Sequence, residues 1–378
     1  MSNNRREFIK GSLLGGAVLA SAGLAQAAEA VEGAVAKKPL DILILGGTGF
    51  IGPHMVREAL RRGHSVTLFN RGRTNNELFP DLETIKGDRG GDLSILEDRK
   101  WDAVIDNSGY VPRHVENSAR TLAPNVGQYL YISTIAVYDS YAAANDENSK
   151  LATLADETVE EVTGETYGPL KALCEQRARA EIDAEHLTIL RPTYICGPGD
   201  HTDRFTYWPV RISQGGEMLL PGGPEYPLQI IDVRDLANFT IDCLDQKIMD
   251  TFNTVTPVGS YSMGQLLEDS QAVTSSQVEP VWVDEGFAKE AQEQEQGGRR
   301  GMFPIWHGLQ GDLAKVSSVA GSKAVTAGLH NRPIRETVRD LLSWWNTLPE
   351  ERTSAMSAGM SAETEAELIA AWKSRDSS

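Results

Sequence analysis

Short apolar runs alternate with amphipathic stretches over the first half of the chain. Asp41-Ile42-Leu43-Ile44-Leu45 is a continuous apolar run of strand length, the pattern of a strand buried on both faces. Met55, Val56, Ala59 and Leu60 then recur at helical spacing, and Gly63 closes that helix as a C-cap. Residues 65–69 predict a second strand, and residues 82–85 a weaker third. Residues 101–105, 128–132 and 186–190 predict a fourth, fifth and sixth. Helical patterns lie between them, notably at residues 115–122 and 169–182. Such alternation predicts an α/β fold with a Rossmann-type, doubly wound parallel sheet and a smaller C-terminal substrate-binding region.

Beyond Pro192 the rhythm breaks down. Gly197-Pro198-Gly199 and Pro221-Gly222-Gly223-Pro224 punctuate a segment expected to cap the sheet rather than extend it. Residues 292–300 (QEQEQGGRR) read as a loop, and residues 333–345 and 362–372 as terminal helices. The expected division is a dinucleotide-binding domain over 40–192 and a substrate region over 193–348, interleaved with the end of the sheet. A helical tail follows over 349–378.

The N-terminus reads as an address. Asn4-Arg5-Arg6-Glu7-Phe8-Ile9-Lys10 has the form of a twin-arginine export motif. A Gly- and Ala-rich apolar stretch from Gly11 to Ala25 follows, with cleavage expected at Ala25-Gln26-Ala27 or Ala28-Glu29-Ala30. Residues 1–27 are therefore expected to be removed and 28–39 to form a linker. The mature protein is expected in the periplasm without a stable membrane anchor, and the twin-arginine export machinery is an expected partner.

Composition narrows the partners. The chain has 53 Asp+Glu against 36 Lys+Arg, a formal charge of −17, so nucleic acid and anionic lipid are poor partners. The three cysteines make no disulfide framework, and neither Cys nor His falls at metal-ligand spacing, so no metal is expected.

The first strand runs into Gly46-Gly47-Thr48-Gly49-Phe50-Ile51-Gly52 and then into a helix. In that context Gly46 permits the tight turn, Gly49 lets the backbone approach a pyrophosphate, and Gly52 lets the helix pack on the sheet. The helix N-terminus presents free N–H groups to the phosphates. Gly46, Thr48, Gly49, Phe50, Ile51 and Gly52 are the candidate cofactor cradle. The second strand ends at Asn70 and is followed by Arg71 and Arg73, where an acidic residue would have favoured NAD. The cofactor is therefore read as NAD(P), leaning to NADP. Asp88, after the third strand, is a candidate acceptor for the adenine amino group.

Tyr167 and Lys171 stand four apart at a helix start, hence on one face. A phenol with a pKa near 10 is a poor base at neutral pH, but a nearby ammonium favours phenolate and makes Tyr167 a workable base towards a substrate hydroxyl. Ser133 and Thr134 follow the fifth strand, at the carboxyl edge of the sheet where ligands bind. Arg204, Trp208 and Arg211 follow the Gly-Pro-Gly turn. Trp208 is a candidate for stacking on a sugar ring, and the two arginines for binding an acidic group.

The ordered set of glycine loop, Ser-Thr-x-x-Val-Tyr, Tyr-x-x-x-Lys, Arg-Pro…Gly-Pro-Gly and Asp-Val-x-Asp resembles an extended short-chain dehydrogenase/reductase of the NAD-dependent epimerase/dehydratase family, from about Leu40 to Leu348. Phe69-Asn70-Arg71-Gly72 also resembles an atypical branch that includes plastid RNA-associated proteins. The resemblance implies that Thr134 hydrogen-bonds the substrate oxygen and that Tyr167 is the acid/base. Lys171 would hold the nicotinamide ribose and lower the pKa of Tyr167, and Ser133 would support the cofactor. It also implies a homodimer and transient hydride transfer on a small molecule, a sugar or related hydroxyl compound.

Export sharpens this expectation. The periplasm is not expected to hold a free nicotinamide pool, so the cofactor should leave the cytoplasm tightly bound and be regenerated within each turnover. A redox-neutral epimerase or dehydratase fits best. An oxidoreductase passing electrons to another acceptor is the alternative, and a non-catalytic nucleotide-binding or RNA-associated protein is a third.

Overall fold

The computed structural model describes residues 38–294 and 301–375. The export motif and its cleavage sites, most of the linker, and residues 295–300 of the expected loop lie outside the described residues. Eleven strands are described: β1 (Asp41–Leu45), β2 (Ser65–Asn70), β3 (Thr84–Lys86), β4 (Ala103–Asp106), β5 (Tyr129–Ile132), β6 (Leu187–Pro192), β7 (Tyr194–Cys196), β8 (Gly216–Pro221), β9 (Ile230–Asp232), β10 (Thr251–Thr254) and β11 (Val278–Val283). Helices α1 (Gly52–Arg61), α2 (Pro112–Leu122), α3 (Tyr167–Glu181), α4 (Tyr207–Ser213), α5 (Val233–Gln246) and α6 (Met263–Thr274) come first. Then follow α7 (Glu285–Glu293), α8 (Ser322–Thr326), α9 (Ile334–Trp345), α10 (Glu350–Thr353) and α11 (Ala362–Arg375).

Seven parallel strands form the central sheet in the order β10-β6-β5-β4-β1-β2-β3. The order reverses between β1 and β4, whose carboxyl ends therefore open a crevice, the usual ligand position in a doubly wound sheet. Helices cover both faces. Met55, Val56 and Ala59 of α1 pack with Leu236 and Phe239 of α5 on one side. Val115 and Ala119 of α2 pack with Cys174 and Ala178 of α3 on the other. Strands shielded on both faces are mostly apolar, which is why residues 42–45 of β1 and 103–105 of β4 read as hydrophobic runs, with the buried Asp106 closing the latter.

The seventh strand corrects the expectation that residues beyond Pro192 only cap the sheet. Thr251 to Thr254 pair with Ile189 to Pro192 and extend it. This strand is fully buried yet reads Thr-Phe-Asn-Thr, so its polar side chains need partners inside the protein. Asn253 finds them: its Oδ1 accepts from the Tyr138 hydroxyl at 2.6 Å and its Nδ2 donates to the Ala320 carbonyl at 3.0 Å. A second apolar cluster gathers Trp208, Trp306 and Trp345 with the parallel pair β8 and β11. It forms the body against which the segment after the Gly-Pro-Gly turn is packed.

Candidate active site

A cleft of about 1280 Å³ runs along the carboxyl edge of the sheet, and its lining extends from the glycine loop past Tyr167 to Arg204. At the loop each glycine answers a different constraint. Gly46 adopts φ +93°, and a Cβ there would sit 2.7 Å from Ser108 Cβ. A Cβ on Gly52 would meet the Gly46 carbonyl oxygen at 2.5 Å, so this glycine sets how closely α1 approaches the loop. At Gly49 a Cβ would meet nothing within 4 Å. The space beside it is open cleft, as the approach of a phosphate to the backbone requires. No side chain caps the start of α1, so its N–H groups stay available to an anion. Asn107 Oδ1, buried on a cleft-lining residue, has no hydrogen-bond partner. A glycine cradle, uncapped helix end and orphan acceptor together fit a dinucleotide.

Thr48, Phe50 and Ile51 line the same end, with Asn70, Arg71 and Asp88 further along. The Asn70 side chain accepts from the Gly72 amide at 2.8 Å and so shapes the turn. Arg71 and Arg73 are exposed. Asp88 accepts from the Gly90 amide at 2.9 Å, which holds its carboxyl below the ordinary range. Beside it, Arg89 grips Asp106 through two short hydrogen bonds of 2.5 and 2.6 Å and binds the Ser118 hydroxyl. Tyr129 donates to the same carboxylate. This buried cluster, which pattern reading missed, neutralises the guanidinium below the crevice.

Tyr167 opens α3 at the middle of the cleft. Its position depends on Gly168, where a Cβ would lie 2.1 Å from the Ala136 carbonyl oxygen. Only a glycine lets α3 press onto the turn that begins with Thr134. That turn is stapled by Thr134 itself, whose Oγ1 accepts from the Ala136 amide at 3.2 Å. Burial pushes the Tyr167 phenol up to about 12, which corrects the expectation that the nearby ammonium lowers it; Tyr110 adds to the rise, while Thr134 and Arg204 pull it down. The ring of Tyr110 stands 6.3 Å from that of Tyr167.

Lys171 lies one turn further along α3 and is buried. Its ammonium donates to the carbonyls of Gly109 and Ile132, both at 2.7 Å, and sits 4.2 Å from the Tyr131 ring centroid. Burial lowers it to about 8, still mostly charged at neutral pH. Ser133 lines the cleft, but its hydroxyl donates to Glu175 at 2.6 Å. The hydroxyl therefore ties the end of β5 to α3, while Ser133 keeps its place in the cleft lining.

The expected substrate residues divide. Arg204 lines the cleft. Trp208 does not: its side chain is fully buried and its indole N–H donates to the Pro304 carbonyl at 2.9 Å, so it packs the core rather than stacking on a ligand. Arg211 is also turned away, bound to Glu365 at 2.6 Å and to the carbonyls of Gly215 and Glu217. His307 and Tyr194, by contrast, line the cleft and meet through Nε2 and the phenol oxygen at 2.5 Å.

The family model for the NAD dependent epimerase/dehydratase family matches residues 42–253. The chain belongs to this family. Curated relatives of the chain carry different names. The chloroplast stem-loop binding protein of 41 kDa b from Arabidopsis thaliana is 28% identical over 54% of this chain and 54% of its own length. The 2-alkyl-3-oxoalkanoate reductase of Stenotrophomonas maltophilia is 32% identical over 43% of this chain and 52% of its own length. The chain thus spans about half the length of these two relatives. The UDP-glucose 4-epimerase of Lactobacillus helveticus is 26% identical over 62% of this chain and 82% of its own length. Among solved structures, the Bordetella bronchiseptica enzyme WbmG in complex with NAD aligns with TM-score 0.60 and 17% identity, over 86% of this chain and 98% of its own. The UDP-glucose 4-epimerase of Thermotoga maritima with UDP-glucose aligns with TM-score 0.55 and 18% identity, over 81% and 99%. At such identities the structures show a shared fold.

Proposed function

We propose that this chain is an NAD(P)-dependent enzyme of epimerase/dehydratase type, acting at a hydroxyl of a small molecule, a sugar or related compound. One observation carries the reading: Thr134, Tyr167 and Lys171 meet in a single cleft that also contains the glycine cradle. When bound, the nicotinamide supplies a reversible hydride acceptor. Gly49 and the start of α1 hold the pyrophosphate, and Lys171 holds the adjoining ribose. Thr134 orients the substrate oxygen by a hydrogen bond. Burial keeps Tyr167 protonated on its own; as the phenolate that a bound, positively charged nicotinamide ring would favour, it would take the proton from that oxygen and later return it, so the residue ends each cycle as it began.

Arg71 and Arg73 beside Asn70, with no carboxylate at the end of β2, support NADP over NAD. Export by the twin-arginine route, with the nucleotide already in place, supports a redox-neutral reaction.

The test is to purify the protein from the periplasm of cells expressing the full chain, denature it and identify released nucleotide by mass spectrometry. Near-stoichiometric NADP(H) or NAD(H) supports the reading and names the cofactor. An empty, folded protein defeats the tightly bound cofactor. Substrate turnover that leaves the nucleotide reduced would identify an oxidoreductase instead.

A further inference from the structure

The cleft lining also includes Tyr194, Thr202, Arg204 and His307. Among the described residues of this group, Arg204 is the permanent cation. Its guanidinium lies over the Tyr194 ring, 4.9 Å from the centroid, and its Nε donates to Thr202 Oγ1 at 3.3 Å. Among the described residues no carboxylate forms an ion pair with it, whereas Arg211 on the same segment is paired with Glu365. Asp200, the acid that feels its field, is fully buried and turns Oδ1 to Thr202. A guanidinium aimed into a cleft without a carboxylate is a receptor for an anion.

The residue before it supplies a second observation. Asp203 is fully buried with φ +58°, a left-handed conformation that a non-glycine residue holds only where its surroundings fix it. Its carboxylate is held by Arg352 at 2.5 Å, by the Ser357 amide at 2.7 Å and by the Ser357 hydroxyl at 3.1 Å. A segment 149 residues away thus fixes the backbone that delivers Arg204.

We propose that Arg204 binds a single anionic group, a carboxylate or a phosphate monoester, on the substrate, and that Asp203, clamped by Arg352 and Ser357, is its positioning residue. This rests on the reading of Tyr167 as the reacting end. One guanidinium matches one anionic group; a nucleotide diphosphate would bring two linked phosphate groups to it. The substrate is therefore a compact hydroxy acid, sugar acid or sugar phosphate, unlike the UDP-glucose bound in the Thermotoga maritima structure.

Isothermal titration of the full chain with glucuronate, glucose 6-phosphate, glucose and UDP-glucose tests this on one hexose skeleton. Either charged hexose should bind and glucose should not; which one binds distinguishes carboxylate from phosphate. Arg204→Gln should weaken that binding roughly tenfold to a hundredfold, with partial recovery in Arg204→Lys. Asp203→Asn and Arg352→Gln should weaken it as well, and lose their effect in the Arg204→Gln background, a non-additivity that general destabilisation does not produce. Equal binding of glucose, tighter binding of UDP-glucose, no binding of either anion, or an indifferent Arg204→Gln overturns the proposal. The readout is independent of turnover. A chain that bound the anion but kept its activity in Tyr167→Phe would lose the catalytic reading alone.

Discussion

Glu175 and Arg191 form a bidentate ion pair, at 2.6 and 2.9 Å, with both side chains essentially removed from solvent. The same carboxylate accepts the Ser133 hydroxyl, and Arg191 reaches on to the Tyr138 phenol at 3.2 Å. Tyr167, Lys171 and Glu175 stand at i, i+4 and i+8 on one helix, so the pair sets the rotation of α3. Glu175→Gln leaves a buried guanidinium without its counter-charge, and should cost about 3 kcal/mol in urea unfolding.

Two glycine substitutions should separate packing from binding. Gly168→Ala places a methyl against the Ala136 carbonyl and should destabilise by about 2 kcal/mol while displacing Tyr167 from Thr134. Gly49→Ala meets no protein atom within 4 Å, so the melting temperature should hold. Its NADPH affinity, read by fluorescence titration, should fall tenfold or more.

Tyr167→Phe keeps the ring and removes the proton carrier. With a substrate in hand, kcat should drop about 10²–10⁴-fold. The NADPH dissociation constant should stay within about twofold, which separates loss of chemistry from loss of the site.

Arg71→Glu reverses the charge beside the ribose end of the crevice. NADPH binding should weaken at least tenfold, and NADH binding should be unchanged or improved. Equal loss for both nucleotides would mean that Arg71 does not read the 2′-phosphate.

Burial, aided by the charge of Arg204, lowers His307 to about 4 from an ordinary 6.5. The unfolded chain then takes up a proton at His307 before the folded one does. Stability from the neutral ring is complete above pH 6.5 and is lost as pH falls towards 4, by roughly 1–3 kcal/mol. His307→Gln has no such proton to bind. The stability gap between wild type and variant should therefore shift against the wild type over this window, measured by urea unfolding at each pH.

The first six strands and the glycine loop were legible because double-sided burial writes apolar runs into the sequence, and because a phosphate cradle demands Gly at fixed spacing. Tyr167 and Lys171 were legible for a similar reason, their spacing being a helix turn. Strand β10 was not. Its Thr251 and Asn253 side chains find partners far along the chain, in Arg179, Tyr138 and Ala320, so its run of four residues carries no hydrophobic signature. Trp208 and Arg211 misled because their partners, Pro304 and Glu365, lie 96 and 154 residues away. Nothing local distinguishes an aromatic that stacks on a ligand from one that fills a core. Gly168 was visible, but the carbonyl it spares was not.

The late arrival of β10 has a consequence for how the protein is made. A chain leaving the ribosome has β6 complete at Pro192, but its outer neighbour ends at Thr254. Until that segment emerges, β6 offers a row of unpaired backbone groups to any passing strand. The nascent sheet is open along that side while the intervening residues are synthesised, and a chain truncated after Pro192 would keep this edge permanently. Pairing over so long a separation is slow as well as late. Chaperone dependence and aggregation should therefore peak in chains stalled between these two strands, and fall once Thr254 has cleared the exit tunnel.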